Sequence, residues 1–205
     1  MKVTYNNKKG YTLFEVLIAI SIFIILTFGV AWVLIISLRT NSIVWDQLGG
    51  QNEARKVLEQ VVDDVRRAEE SSLGSYPFEI VSEYEIIFYA NIDNDSFRER
   101  VHYWLDGTTF KKGVITPSGS PLVYDPIDEQ VVEIAHDVVN VSSSVPIFLY
   151  YDELYTGTQD SISDPVGLTA VRVIRLQLEI EHDVEKSPVP LHVESVVSVR
   201  SLKGE

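Results

Sequence analysis

One stretch decides the fold of this chain, and it reads Lys8-Lys9-Gly10-Tyr11-Thr12-Leu13-Phe14-Glu15-Val16-Leu17. The apolar run that it opens continues to Leu38, and residues 16–38 carry no ionisable side chain. A helix needs about 20 apolar residues, at a rise of about 1.5 Å each, to cross the hydrocarbon core of a bilayer. The sequence therefore predicts a membrane-spanning helix over residues 11–39.

Glu15 is the unusual residue of this segment, because it places a carboxylate inside the apolar block. A carboxylate at the edge of the hydrocarbon costs a few kcal/mol unless it reaches the interface, becomes neutral or meets a positive partner. If the chain were cut after Gly10, the new amine of Tyr11 would lie near Glu15 of the same copy or of a neighbour. Such an ammonium–carboxylate pair would fix the axial register of packed helices.

The order of Gly10, Tyr11, Thr12 and Glu15 behind two lysines resembles the N-terminus of the type IV pilin family, including the pseudopilins of type II secretion. The resemblance implies that residues 1–10 are a leader, which a prepilin peptidase removes before it methylates the Tyr11 amine. It also implies that Thr12 and Glu15 act in assembly. The implied partners are other pilin or pseudopilin subunits, the prepilin peptidase and the inner-membrane assembly platform. Tyr11 stands where the family usually has Phe.

The charges around the apolar run predict its orientation. Lys2, Lys8 and Lys9 precede it, whereas Arg39 follows it alone, and basic residues favour the cytoplasmic side. We therefore expect a single-pass protein with a cytoplasmic N-terminus, lipid around its helix and an extracytoplasmic head. The alternative is an uncleaved anchor whose Glu15 reaches the cytoplasmic interface, carrying an adhesin-like or receptor-like binding domain.

The helix is expected to continue as an amphipathic segment over residues 40–72. Gly49 and Gly50 cost roughly 2 kcal/mol relative to two alanines inside a helix, which predicts a bend or local melting there. Beyond them, apolar residues recur at spacings of three and four, which indicates one buried helix face. These residues are Ala54, Val57, Leu58, Val61, Val62, Val65 and Ala68.

Residues 73–205 are predicted to form an antiparallel β head, because the apolar period changes to two. Asp106-Gly107 predicts a type I′ hairpin that pairs residues 99–105 with 108–115. The other predicted strands cover residues 84–90, 131–141, 147–151, 174–180 and 191–202. The fold class is therefore α+β: a long N-terminal helix, spanning the membrane in its first half and amphipathic in its second, packed on an antiparallel sheet.

Three short motifs of the head resemble the minor pseudopilins of the J type and related minor pilins. They are the helix residues 58–68, the hairpin residues 101–112 and the closing residues 196–200. The usual Asn after the last motif is Ser201 here. These motifs favour a placement among the J-type minor pseudopilins and related minor pilins.

The composition excludes one class of partner. The chain has 30 acidic and 17 basic side chains and a net charge of −13, and the three lysines of residues 1–10 would leave with the leader. A nucleic-acid-binding surface needs a basic stripe, so no nucleic acid is expected. The chain has no cysteine, so no disulfide stabilises the head.

Calcium is the one cofactor for which the sequence offers ligands, although a solvated turn is the favoured interpretation. The candidate carboxylates are Asp93, Asp95, Asp152, Asp160 and Asp164.

The histidines do not have the spacing of a zinc site; they are His102, His136, His182 and His192. No nucleophile motif suggests an enzyme. An aromatic group is interpreted as core and sheet surface, with a ligand platform as the alternative; its members are Phe148, Tyr150, Tyr151 and Tyr155.

Overall fold

The computed structural model of the protein describes residues 10–163, 166–181 and 190–202, with the backbone alone for residues 39–50. Some residues of the sequence predictions therefore lie outside the described residues. They are residues 1–9 of the predicted leader, with its three lysines, and also Asp164 and His182. The chain divides into two compact units, Met1–Asp46 and Gln47–Glu205.

One helix, α1, covers Leu13–Arg66. The backbone stays helical at Gly49 and Gly50, so the predicted melting there is not observed. The propensity cost of two glycines is small enough for a helix that continues on both sides. The helix also ends before residue 72, because β-sheet pairing takes over its last residues: Ala68 forms a bridge with Ala90, and the Glu69 N–H donates to the Tyr89 carbonyl at 2.9 Å.

Five antiparallel strands form the first sheet, in the order β1-β2-β3-β4-β5. Their bounds are β1 Phe78–Val81, β2 Glu85–Ala90, β3 Glu99–Asp106, β4 Thr109–Ile115 and β5 Gln130–Ala135. The register of β2 and β3 pairs Phe88 with Val101 and Ile86 with Tyr103, and all four side chains lie in the core. The predicted alternation in β2 is not seen in burial, because Ile87 and Tyr89 on its other face are buried as well. A short 3₁₀ helix, Pro126–Asp128, leads into β5.

The predicted hairpin between β3 and β4 is confirmed, but its turn type is different. Asp106 pairs with Thr109, so the two turn residues are Gly107 and Thr108 rather than Asp106 and Gly107. Only Gly107 has a positive φ, at 63°. A positive φ at the first turn residue alone fits a type II′ turn, whereas type I′ needs it at both.

Three further strands form a second sheet in the order β6-β7-β8, so the head contains two antiparallel sheets rather than one. The strands are β6 Phe148–Tyr151, β7 Val173–Ile180 and β8 Leu191–Ser198. A 3₁₀ helix, Leu168–Ala170, precedes β7. The predicted strand over 131–141 stops at Ala135, because Asp137 takes a positive φ of 58° and Val138 then bridges to Ile180 of the second sheet.

The core of the head lies between the amphipathic part of α1 and both sheets. Every predicted apolar residue from Ala54 to Ala68 is buried. A row of ring contacts then connects the two sheets: Phe88 stacks on Tyr103 at 6.2 Å, Tyr103 on Phe110 at 5.8 Å, and Phe110 contacts Phe148 of β6 at 6.2 Å. The predicted α+β architecture, a long helix with antiparallel β structure, is thereby confirmed.

Candidate assembly segment and buried polar sites

Thr12 begins the helix at the N-terminal end of the apolar segment. It is the residue before Leu13, and its Oγ1 accepts a hydrogen bond from the Glu15 N–H at 3.3 Å. The order Thr-x-x-Glu is that of a capping box, in which Thr12 takes the N-cap and Glu15 the third helical position. Sequence reasoning assigned both residues to assembly but missed this pattern, which was present in the sequence.

Glu15 therefore occupies a position that favours a negative charge. It is the acidic residue of the first helical turn and is exposed. A carboxylate in this turn interacts favourably with the unpaired N–H groups and the helix dipole, by about 0.3–1 kcal/mol when exposed. Helix geometry thus offsets part of the cost of a carboxylate in an apolar block, and the same charge remains accessible to a second subunit.

The predicted processing site lies just before the helix. Tyr11 is 82% exposed, and Gly10 and Tyr11 are outside regular secondary structure. A Cβ added at Gly10 would meet no described heavy atom within 4 Å. The described part of the chain therefore gives no packing reason for glycine at this position.

The helix segment Leu13–Leu38 is long and apolar enough to cross a membrane, and no part of its most apolar stretch is buried against the described protein. Large side chains such as Phe23 and Phe28 are 70% and 74% exposed. The polar groups inside the segment are satisfied locally, because the Ser21 and Thr27 hydroxyls each donate to the carbonyl four residues earlier at 2.8 Å. This surface requires lipid or other apolar helices as its environment.

A buried charged site joins the amphipathic part of α1 to the first sheet. Asp64 Oδ2 accepts from Lys112 Nζ of β4 and from the Tyr103 hydroxyl of β3, both at 2.6 Å. Burial, and then the Asp64 charge, raise the pKa of Tyr103 well above its ordinary value. Sequence analysis missed Asp64, although it continues the stripe of Val57, Val61 and Ala68 at spacings of three and four.

The structure brings two of the calcium candidates together and separates the others. Asp93, Asp95 and Glu99 each place a carboxylate oxygen within 4.8 Å of the other two. Glu99 was not among the sequence candidates, because it belongs to the predicted strand 99–105 and not to the oxygen-rich turn that contains Asp93 and Asp95. Asp152 and Asp160 are exposed in another loop and do not join this group.

The three described histidines lie apart, each beside carboxylates rather than beside another histidine. His102 Nε2 is 3.0 Å from Glu85 and its Nδ1 is 3.2 Å from Glu129, while His192 Nδ1 is 2.8 Å from Glu179. His136 is exposed. The His102–Glu85 and His192–Glu179 contacts join neighbouring strands, whereas Glu129 precedes β5 and His136 follows it.

The aromatic group lies mostly in the core, which agrees with the interpretation favoured from the sequence and not with the alternative of a ligand platform. Phe148, Tyr150 and Tyr151 are 1%, 2% and 4% exposed, and the Tyr150 hydroxyl donates to the Ser82 carbonyl at 2.8 Å. Tyr155 is half-buried and contacts the Tyr151 ring at 4.1 Å. Because three of the four rings are inaccessible, this group does not form a ligand platform.

Residues 5–31 match the family model described as the prokaryotic N-terminal methylation motif. This match covers the predicted processing site at Gly10 and Tyr11, the Thr12–Glu15 cap and the first part of the apolar helix. No curated protein matches the chain. The motif, together with one apolar helix able to cross a membrane, supports a membrane-anchored type IV pilin-like prepilin, and it points to a structural subunit rather than to an enzyme.

Proposed function

We propose that this chain is a minor pilin or pseudopilin subunit, and among these classes we favour the J type. A prepilin peptidase removes residues 1–10 by cutting between Gly10 and Tyr11 and methylates the Tyr11 amine. The mature subunit then enters a type IV pilus or a type II secretion pseudopilus through its N-terminal helix. The observation that carries this proposal is the methylation motif over residues 5–31, which coincides with an exposed cleavage site and a capped, unburied apolar helix.

In this proposal the helix surface that faces lipid before assembly faces other helices afterwards. Copies related by a rotation and a rise that do not close build a filament, and the heads cover its outside. The Tyr11 ammonium of one subunit pairs with Glu15 of a neighbour, and this pair sets the register. The helix cap supports the pairing, because it holds Glu15 on the first turn close to the new N-terminus.

The proposed topology follows the same motif. The leader lies in the cytoplasm, α1 crosses the inner membrane, and the head is extracytoplasmic. Other pilin or pseudopilin subunits, the peptidase and the membrane assembly platform are the proposed partners. The lysines before the apolar segment and the single arginine that directly follows it support this orientation.

The intact mass of the protein recovered from its own membrane tests the proposal. We expect a chain that begins at Tyr11 and carries one added methyl group, with the methyl on the N-terminal fragment. A chain that retains residues 1–10 would contradict the proposal and would favour an uncleaved anchor with a binding domain. Gly10→Ala provides the matched control, since this change meets no described atom and should block cleavage without disturbing the fold.

A further inference from the structure

The connection between β2 and β3 is built from side-chain oxygens. Asp93 Oδ1 accepts from the Asp95 N–H at 3.1 Å, and the Asn91 amide nitrogen donates to the Asp95 carbonyl at 2.7 Å. Asn94 has a positive φ of 63°, which turns the chain between the two aspartates. Glu99 then begins β3, where it pairs with Ala90 across the hairpin. The loop therefore folds the carboxylates of Asp93 and Asp95 back over the start of β3.

Glu99 is the unusual member of this group, because it is a carboxylate with only 1% exposure. Its Oε2 accepts a hydrogen bond from the Ile92 N–H at 3.0 Å, but its Oε1 is buried and has no hydrogen-bond partner. The Asn91 Oδ1 is a second buried oxygen of the same loop without a partner. Buried oxygens without a donor are rare in native proteins, and each calls for a ligand or another explanation.

The described residues also supply no positive charge to this site. None of the ion pairs among them involves Asp93, Asp95 or Glu99. The neighbouring Arg98 pairs with Glu69 instead, with 3.1 Å between Nε and Oε1, and Arg100 pairs with Glu79. Burial raises the pKa of Glu99 above its ordinary value, and the charges of Asp93 and Asp95 add to this effect. Three carboxylates thus lie together without a partner that neutralises them.

We propose that the Asn91–Glu99 loop is a calcium site, with Asp93, Asp95 and Glu99 as carboxylate ligands and the Asn91 amide oxygen as a fourth ligand. Calcium binds six to eight oxygens at about 2.3–2.6 Å, so oxygens on opposite sides of the ion are about 4.6–5.2 Å apart. The three carboxylate oxygens lie within 4.8 Å of one another, so all three are close enough together to bind one such ion. Magnesium, at about 2.0–2.1 Å, requires a tighter arrangement.

Calcium at this loop would hold the start of β3 against the segment that follows α1. Arg98, the residue before Glu99, contacts that segment: its N–H donates to Ser72 Oγ at 2.8 Å, and its carbonyl accepts at 2.7 Å from the Tyr124 hydroxyl, which also accepts from the Ser72 N–H. An ordered loop therefore stabilises these hydrogen bonds and the ion pair between Arg98 and Glu69. This inference is independent of processing after Gly10.

Calorimetric titration of the full-length chain in detergent, stripped of metals with a chelator, tests the site. We expect one calcium ion to bind with a dissociation constant of about 10⁻⁵–10⁻³ M, and magnesium to bind more weakly. Glu99→Gln and the double change Asp93→Asn/Asp95→Asn should each weaken calcium binding at least tenfold. The matched control is Asp152→Asn/Asp160→Asn, which removes the same charge from the other acidic loop and should leave binding unchanged.

Thermal unfolding of the same variants separates loss of the site from loss of the fold. Without calcium, Glu99→Gln should unfold at the same or a higher temperature than the natural chain, because it neutralises a buried carboxylate. Calcium should raise the unfolding temperature of the natural chain but not that of Glu99→Gln. The proposal is overturned if the natural chain takes up no calcium at 10 mM or if Glu99→Gln binds it as the natural chain does. Either result would leave the prepilin proposal untouched, since that depends on the mass of the processed chain.

Discussion

At the scale of single residues, Asp64 is the polar group on which the packing of helix and sheet depends most. Its carboxylate is 9% exposed and is the partner of the buried ammonium of Lys112. Tyr103 supplies a further hydrogen bond and lies under the same ammonium, which is 5.6 Å from its ring centre. A buried ion pair adds little net stability, but removing one partner leaves the other charge buried and uncompensated.

We therefore expect Asp64→Ala to lower the free energy of unfolding by about 3 kcal/mol or more. The neighbouring Asp63→Ala is the control, because Asp63 forms only an exposed ion pair with Arg66 and should cost less than about 1 kcal/mol. Urea unfolding of the full chain in detergent measures both. The double change Asp64→Leu/Lys112→Met should recover most of the free energy of unfolding that Asp64→Ala loses. If the double variant is as unstable as Asp64→Ala, the uncompensated charge of Lys112 is not the cause of that loss.

A second pair, on the outer face of the first sheet, makes stability depend on pH. Arg100 binds Glu79 through two hydrogen bonds of 2.8 and 2.9 Å, and the Tyr89 hydroxyl donates to the same carboxylate at 2.7 Å. The hydrogen bonds from Arg100, followed by that from Tyr89, outweigh the opposing effect of burial and lower the pKa of Glu79. A lowered native pKa stabilises the fold above the ordinary pKa of glutamate, and this stabilisation disappears as the pH falls through the native value.

Glu79→Gln should thus destabilise the head by about 0.5–1 kcal/mol at pH 7, a value reduced for the solvent screening of a partly exposed pair. The difference from the natural chain should shrink as the pH falls below about 4.3, the ordinary pKa of a glutamate. Unfolding curves between pH 7 and pH 3 give this difference. Glu59→Gln, which removes the same charge from an exposed position on α1, is the control and should change the free energy of unfolding at pH 7 by less than about 0.5 kcal/mol. A pH-independent difference for Glu79→Gln would contradict the role of its charge.

At the scale of elements, the β3–β4 hairpin depends on one backbone angle. Gly107 has a φ of 63° and a Cβ added there would meet no atom within 4 Å, so only the left-handed conformation restricts this position. An L-residue in that conformation costs about 1–2 kcal/mol. The lengths of β3 and β4 and their register depend on this turn, since Asp106 and Thr109 close it.

Gly107→Ala should lower the free energy of unfolding by about 1 kcal/mol, as measured by denaturant unfolding. Gly167→Ala is a matched control, because Gly167 has equally open surroundings but a φ of −71° that alanine adopts freely. This control should be neutral or slightly stabilising, since alanine restricts the unfolded chain. Equal effects of the two changes would show that the angle at Gly107 is not the determinant.

At the scale of the whole molecule, the N-terminal segment is expected to act between copies rather than within one. Glu15 has two roles that substitution can separate: it occupies the third position of the helix cap, and it carries a charge. Glutamine retains the capping role but removes the charge, whereas alanine removes both. The pair of substitutions therefore tests which role assembly needs.

Glu15→Ala and Glu15→Gln should both abolish incorporation into the filament and leave cleavage after Gly10 intact, if the charge pairs with the Tyr11 amine of a neighbour. The fraction of subunit in sheared filaments and the mass of the membrane-bound subunit measure the two steps. Thr12→Ser, which keeps the capping oxygen, is the control and should assemble normally. Normal filament levels with Glu15→Gln would assign Glu15 a capping role only.

The sequence by itself predicted the features that depend on local order and periodicity. The apolar segment, the buried face from Ala54 to Ala68 and the alternation in β7 follow from spacing along the chain, which a helix or strand converts directly into a face. The N-terminal motif was recognisable for the same reason, because its residues are contiguous. Even the Thr12–Glu15 cap was present as a local pattern.

Only the tertiary structure decided how distant segments meet. The division of the head into two sheets depends on Asp137, where the chain leaves β5 and joins the second sheet at Ile180. The partners of Asp64 lie 39 and 48 residues away in sequence, and Glu99 reaches the two loop aspartates through the hairpin that pairs it with Ala90. The partners of Asp64 are not evident from the sequence, because residues so far apart along the chain become neighbours only when the helix and the sheet pack into one core. Glu99 is close to the two aspartates in sequence, but only the folded hairpin shows that its carboxylate is buried beside theirs.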